Sequence, residues 1–381
     1  MPENEPISKP RLALRWIKGQ PVLLVSALAA FISAFFAPPS GAYLGYINWH
    51  TILCLFAMLC VLNGLRAVGA LGVLAQALVV RLSTARSAII ALVMIVFVGS
   101  MFFTNDIALL TFLPLTAVLL SSCGQQRYLL FTFTMETIAA NLGGMILPFG
   151  NPQNLFLFSH YGMSLESFVN TLLPPFVLAL VMILACCLVV AKPTPLAMQT
   201  KPDGYFNVRS LVVLLVLFAL VICMVFSVIP EVPGAVIVVL ALIISGQGEA
   251  LKHVDYALLL TFVCFFIFSG NLASLQAVQD VLSGLLADGA FLPSLLISQI
   301  ISNVPAAVLL APFTTDWPGL LLGVDVGGVG TVVASLASLI TMAEYQHCVP
   351  GQRGRFLAVF SAFNFAFLAV LAVFVLLFVA P

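Results

Sequence analysis

The sequence predicts an all-α polytopic membrane protein of two inverted-topology repeats, with about nine transmembrane spans, two hairpins and discontinuous helices at the midplane. Three observations carry this prediction. Hydrophobic residues make up 62% of the 381 positions and charged residues only 7%, with a mean hydropathy of +1.19, which leaves too little polar surface for a water-soluble globule. Apolar runs of membrane-crossing length follow one another from residue 21 to residue 380. Polar triplets then interrupt those runs at matching places in two halves, Thr104-Asn105-Asp106 in one and Ser302-Asn303-Val304 in the other.

Spans are expected at roughly 21–37, 49–65, 128–158, 166–190, 210–229, 233–246, 256–271, 319–342 and 356–380. The first follows four basic residues and resembles a secretion signal, but Pro38 and Pro39 argue against cleavage and spans continue to the end. Two apolar pairs, 87–103 with 107–121 and 291–302 with 304–313, turn at the triplets and read as hairpins. At about 1.5 Å per residue the second pair is too short to cross and is expected to be re-entrant. For the first pair both readings stay open. Semi-polar stretches at 66–86 and 272–290 precede the two hairpins and are expected to lie in the interface.

A hairpin returns to the side it left, so the orientation follows by counting. With the N-terminus in the cytoplasm, all 14 Lys and Arg fall on the cytoplasmic side, while the opposite loops carry Glu166, Glu231, Asp280, Asp288 and Asp316. The C-terminus is then outside. The chain divides into a cytoplasmic N-terminus (1–20), a first repeat (21–190), a cytoplasmic linker (191–209), an unpaired span (210–229) and a second repeat (233–381). The unpaired crossing inverts the second repeat. Matching order supports the division: Asn48-Trp49-His50 is echoed by Asp255-Tyr256-Ala257, and Asn141-Leu142-Gly143-Gly144 by Asp325-Val326-Gly327-Gly328. Inverted repeats with interrupted helices point to a secondary transporter with its site near the midplane.

Zero formal net charge gives no electrostatic case for a nucleic-acid partner. The eight Cys lie mostly in apolar runs without a paired CxxC, and the four His form no HExxH, so no cofactor and no resident metal are expected. The partners expected are the lipid bilayer and a small ion.

A broken membrane helix leaves backbone groups that protein, water or ligand must satisfy. Asn105 is placed to cap the second arm of the first hairpin, and Ser302 and Asn303 that of the second, with Pro305 in its first turn. Gly150-Asn151-Pro152-Gln153-Asn154 interrupts the span 128–158, with Asn151 as cap and Pro152 at the first helical position; its counterpart is Ala334-Ser335-Leu336-Ala337-Ser338. Such caps aim positive helix ends at the midplane, each worth about 0.3–2 kcal/mol to a nearby negative charge. An anion can thus be held without a basic residue. Carbonyl and Asn oxygens at the same breaks suit Na⁺. Three acids lie inside spans or hairpins, Asp106, Glu136 and Asp325, and such residues are functional candidates by default. For Glu136 a plain hydrogen bond to Thr132 or Thr134 is the competing reading, and for Asp325 a place near the outer interface.

These motifs, taken in order over residues 20–380, resemble the ion-transporter superfamily of arsenite permeases, NhaD-type sodium/proton antiporters and citrate and dicarboxylate carriers. The nearest resemblance is to small bacterial inner-membrane permeases of the arsenite-permease/NhaD branch. It implies two inverted repeats around one central site, a bacterial cytoplasmic membrane location and a homodimer. In dicarboxylate carriers hairpin tips and adjacent breaks hold Na⁺ and a carboxylate; here Thr104, Asn105, Asp106, Ser302, Asn303, Val304, Gly150, Asn151 and Asn154 occupy such places. The chain departs from that pattern at Asp106, Val304, Ala334 and Ser338, so the second half-site is expected to be the weaker ion site.

The function expected is ion-coupled transport of a small anion or oxyanion, carboxylate or arsenite-like, with no enzymatic activity. Thr104, Asn105, Asp106, Ser302 and Asn303 would hold the coupling Na⁺ or H⁺, with Glu136 and Asp325 as further acids. Gly150, Asn151, Pro152, Asn154, Thr331, Ser335 and Ser338 would face the substrate. A sodium/proton antiporter using Asp106 and Asp325 is the alternative, and an intramembrane aspartyl hydrolase a distant third.

Overall fold

The computed structural model describes residues 20–69, 72–73, 82–195 and 207–379. Nearly all of the N-terminal stretch, much of the expected interfacial segment 66–86 and the middle of the 191–209 linker lie outside them. The described chain is helical, with a lone β-bridge between Thr84 and Pro195. In order the helices are α1 (Pro21–Ser33), α2 (Ala42–Tyr46), α3 (Trp49–Val68), α4 (Ala85–Phe102), α5 (Asn105–Ser122), α6 (Leu129–Gly143), α7 (Pro152–His160), α8 (Leu165–Val190) and α9 (Val208–Val225). There follow α10 (Glu231–Ile244), α11 (Glu249–Lys252), α12 (Tyr256–Ala273), α13 (Gln276–Leu286), α14 (Phe291–Ile301), α15 (Asn303–Leu310), α16 (Trp317–Val326), α17 (Leu336–Cys348) and α18 (Arg353–Phe378). Among the described residues, eight helical segments are long and apolar enough to cross a membrane. The protein is an all-α, multi-pass integral membrane protein.

The structure decides the hairpin lengths. Helices α4 and α5 have 18 residues each, about 27 Å at 1.5 Å per residue, close to a full hydrocarbon core. Helix α14 has 11 residues and α15 only 8, so the second hairpin keeps the short arms expected of a re-entrant element. Helix α13 meets α14 at a bend of 115°. Along it Val278, Leu282 and Leu286 pack on the core while Asp280, Ser283 and Leu285 are exposed, as a helix lying at an interface requires.

Both long spans expected to break do so. The first runs through α6 and a 3₁₀ turn (Gly144–Ile146) and restarts as α7; the second stops after α16 and restarts as α17. Every residue of α6 is buried, its polar Thr132, Thr134, Glu136, Thr137 and Asn141 included, which makes it a central helix of the bundle. Each hairpin crosses its neighbour through small residues. A Cβ on Gly143 would meet Phe97 O at 2.3 Å and Ser100 Oγ at 2.6 Å, and one on Gly327 would meet Ser298 Cβ at 2.9 Å. Ser100 and Ser298 both stand four residues before their triplets, so one close-approach device serves both hairpins. The echoed pair Asn48 and Asp255 also act alike, accepting from Thr51 N (2.9 Å) and Leu258 N (3.0 Å) as caps of α3 and α12.

Polar ties join residues that the parity count puts on one face. On the basic side Arg86 Nε donates to Ala191 O (2.6 Å), Lys192 N to Tyr128 OH (3.1 Å) and Asn63 Nδ2 to His253 O (3.1 Å). On the other side Asn48 Nδ2 donates to Ser159 Oγ (3.4 Å), His50 Nδ1 lies 3.6 Å from Glu231 Oε2, and Tyr161 OH donates to Thr314 O (3.0 Å).

Candidate functional site at four helix breaks

The Asn side chains at the two hairpin tips make the same local bond, although the preceding backbone differs, with Thr104 at φ -56° and Ser302 at φ 77°. Asn105 Oδ1 accepts from Asp106 N at 2.9 Å, and Asn303 Oδ1 accepts from Val304 N at 2.9 Å. Neither Asn is the capping residue expected from sequence. Each is the first residue of its helix, and the caps are Thr104 and Ser302, whose side chains make no cap hydrogen bond. The Asn amides are thereby freed to reach across the interior. Asn105 Nδ2 donates to Asn141 Oδ1 at 3.0 Å, while Asn303 Nδ2 lies where a Cβ on Gly328 would meet it, at 3.0 Å.

The breaks interlock in the same crosswise sense. Ser335, the cap of α17, donates to Asn141 Oδ1 at 2.9 Å, and Gln153 in the first turn of α7 donates to Asp325 Oδ1 at 2.9 Å. Asn141 Nδ2 donates to Gly328 O at 3.1 Å. Asn151 occupies the expected cap position and Pro152 the first helical position of α7, yet the Asn151 amide turns back to Asn141 O (3.4 Å) instead of capping. Asn154 Nδ2 holds Met145 O at 3.1 Å. Gly150 is required at its position, since a Cβ there would meet Gly144 O at 2.2 Å.

Six helix N-termini open on one cavity of about 400 Å³, those at the four breaks through Asn105, Pro152, Asn303 and Leu336 and those of α1 and α12 through Gln20 and Asp255. Its described lining includes no Lys or Arg, and Asp106 and Asp255 are its acids. A neighbouring cavity of about 390 Å³ shares Asp106, Pro152 and Asp255 in its lining and reaches Arg66, Lys252 and His253, which lie on the basic face. Several buried oxygens around the breaks have no hydrogen-bond partner, among them Thr104 Oγ1, Asp106 Oδ1, Asn151 Oδ1, Asn154 Oδ1 and Asp325 Oδ2. Of these, Asp106 Oδ1 belongs to the lining of the cavity and suits a cation, and the convergent N–H ends suit an anion.

Seven expected residues, Gly150, Asn151, Asn154, Glu136, Asp325, Thr331 and Ser338, line neither of these two cavities. Glu136 does not line the cavity and accepts from Thr116 Oγ1 on α5 at 2.5 Å; Thr132 and Thr134 donate to their own helix backbone instead. Asp325 is 1% exposed and is held by Gln153 at the start of α7. Thr331 is turned to α14, its N–H on Gln299 Oε1 (2.9 Å) and its hydroxyl on Gln299 O (2.8 Å). Ser338 is buried with its hydroxyl unmatched.

Residues 24–317 match the family model CitMHS, described as citrate transporter. The chain belongs to this family. It is 32% identical over 339 residues to the inner membrane protein YbiR of Escherichia coli, covering 86% of this chain and 89% of that one. It is also 29% identical over 310 residues to an uncharacterised transporter of Methanocaldococcus jannaschii, covering 78% and 81%. The crystal structure of the Alcanivorax borkumensis YdaH transporter aligns with a TM-score of 0.57 at 14% identity, over 93% of this chain and 98% of that chain, a likeness of fold. This CitMHS member is therefore a membrane transporter and not an enzyme, which removes the hydrolase reading.

Three residues of this CitMHS chain escaped the sequence reading. Gln153 reads in the sequence only as one residue of the Gly150–Asn154 motif, yet it makes the bond to Asp325. Gln299 clamps the second break, donating to Gly327 O (2.8 Å) and Val329 O (3.2 Å); a Gln inside an apolar hairpin arm was the available signal. Asp255 shares both cavities with Asp106, and only its echo of Asn48 had marked it.

Proposed function

We propose that this protein is an ion-coupled secondary active transporter of a small carboxylate, with two inverted repeats sharing one site. The observation that carries the reading is the cavity itself, where six positive helix ends meet beside the carboxylates of Asp106 and Asp255. An anion is attracted to the helix ends and a cation to the acids. Bound together they cancel charge, so each strengthens the other's binding in a desolvated site.

Asp106, with Thr104 and Asn105, is the proposed cation or proton site, and the tip at Ser302 and Asn303 the anion side. Only the first tip has a carboxylate. The neighbouring cavity, lined by Asp106 and by Arg66, Lys252 and His253, supports an inward-facing state, because the positive-inside bias assigns that face to the cytoplasm. Alternating access then requires the hairpins and broken helices to move against the remaining spans.

The test is uptake of radiolabelled citrate and smaller carboxylates into proteoliposomes under imposed Na⁺ or H⁺ gradients. Accumulation that needs the gradient supports the proposal. Collapse of a pH gradient on adding Na⁺, with no carboxylate present and none accumulated, would replace it with the antiporter reading.

A further inference from the structure

The last turn of α17 carries a donor set that the transport site does not use. Glu344, His347 and Cys348 stand at positions i, i+3 and i+4 and so share one face of the helix. The carboxylate oxygen, imidazole nitrogen and thiol sulfur all lie within 4.8 Å of one another. We propose that these three residues bind one borderline divalent cation, with Zn²⁺ as the type, and that the ion staples the last turn of α17.

Geometry supports this first. Tetrahedral zinc ligands at 2.0–2.3 Å from the metal are roughly 3.5 Å apart, so side-chain rotation of about an ångström closes the set around an ion. The donors are mixed in kind. A thiolate with an imidazole and one carboxylate favours Zn²⁺ over Ca²⁺ or Mg²⁺, which prefer oxygen alone. The groups are also uncommitted: among the described residues Glu344 forms no ion pair, although Arg353 and Arg355 open the next helix, and His347 has no hydrogen bond. Glu344 Oε1 instead lies 4.0 Å from Cys348 Sγ. His347 is exposed and the other two are half-buried, so an ion can reach them, and water supplies the fourth ligand.

The position gives the ion something to act on. Helix α17 is one wall of the cavity, through Leu336, Leu339, Ile340 and Ala343, and its first turn is tied to Asn141 by Ser335. A metal across its last turn stiffens that turn from within, next to the Pro350-Gly351 turn.

The experiment titrates the purified full-length protein in detergent with Co²⁺, followed by Zn²⁺ and Mg²⁺ as competitors. One equivalent of Co²⁺ with a thiolate-to-metal charge-transfer band is expected, displaced by Zn²⁺ and untouched by excess Mg²⁺. Cys348→Ser abolishes the band, and His347→Ala or Glu344→Gln weakens binding at least about tenfold. A band that survives Cys348→Ser assigns the metal to another of the eight cysteines and overturns the proposal. Binding by the wild type no tighter than by the triple variant overturns it as well.

Discussion

Gln153 Nε2 donates to Asp325 Oδ1 at 2.9 Å and joins the second arm of one broken helix to the first arm of the other. Both residues are 1% exposed, so no solvent replaces the bond when it is lost. Gln153→Leu removes the donor from a buried carboxyl group and is expected to destabilise the protein by about 1–3 kcal/mol. Asp325→Asn keeps an acceptor oxygen in place and is expected to lose less. Thermal unfolding of both variants in detergent checks this; equal losses would dismiss the hydrogen bond as the cause.

Asp106 differs from Asp325 in having a cavity in front of it. Its Oδ1 has no partner, and Asn105 is held by Asn141 independently of the carboxylate. Asp106→Asn should therefore fold and insert as the wild type does, with an unchanged elution profile, while coupled uptake is abolished. Unchanged uptake would remove Asp106 from the coupling site.

Asp255 faces the same cavity from the cap of α12. Because it is exposed, water screens it from Asp106, and its effect on a shared cation is weaker. Asp255→Asn is expected to lower the apparent affinity for the coupling ion several-fold and to leave the maximal rate near wild type, measured as ion-dependence of uptake. Complete loss of transport would place Asp255 at the cation itself.

Much of this architecture was legible because lipid removes choices. With no water to satisfy backbone groups, the span boundaries, the two hairpins and both breaks follow from hydropathy and polar triplets. The pairing of Asn105 with Asn303, and of Asn48 with Asp255, was visible as repeated order. What the order does not contain is the direction of a side chain. Asn105 reads equally as a cap or as a cross-link, and only the approach of Asn141 decides; Glu136 could meet any nearby hydroxyl, and packing of α5 on α6 selects Thr116. Gln153 and Gln299 were overlooked for the same reason, since their partners are 172 and 28 residues away.

Close backbone approach makes Gly150 the least replaceable position of the first break. A Cβ there would meet a carbonyl oxygen at 2.2 Å, and neither backbone can rotate away. Gly150→Ala is expected to cost about 1–3 kcal/mol by overpacking, whereas Gly45→Ala, with nothing within 4 Å, should be neutral or slightly stabilising. Comparing their unfolding temperatures separates a packing requirement from a general preference for glycine.

Ser302 stands at φ 77° and ψ 153°, a conformation open almost only to glycine, with strain of about 1–3 kcal/mol. Two bonds to one carbonyl hold it there: Ser302 Oγ to Ala334 O at 3.1 Å and Asn303 N to Ala334 O at 2.9 Å. Ser302→Ala keeps the strain and loses the hydroxyl bond, so it should be less stable than wild type by about 1 kcal/mol. Ser302→Gly loses the same bond and gains freedom when unfolded, together roughly 1.5–2 kcal/mol, but it releases the strain. The glycine variant should therefore be the more stable of the two by about 1 kcal/mol, read from denaturant or thermal unfolding of the pair. A less stable glycine variant would mean that this tip is not strained, and that the Ala334 carbonyl is holding a conformation the serine already prefers.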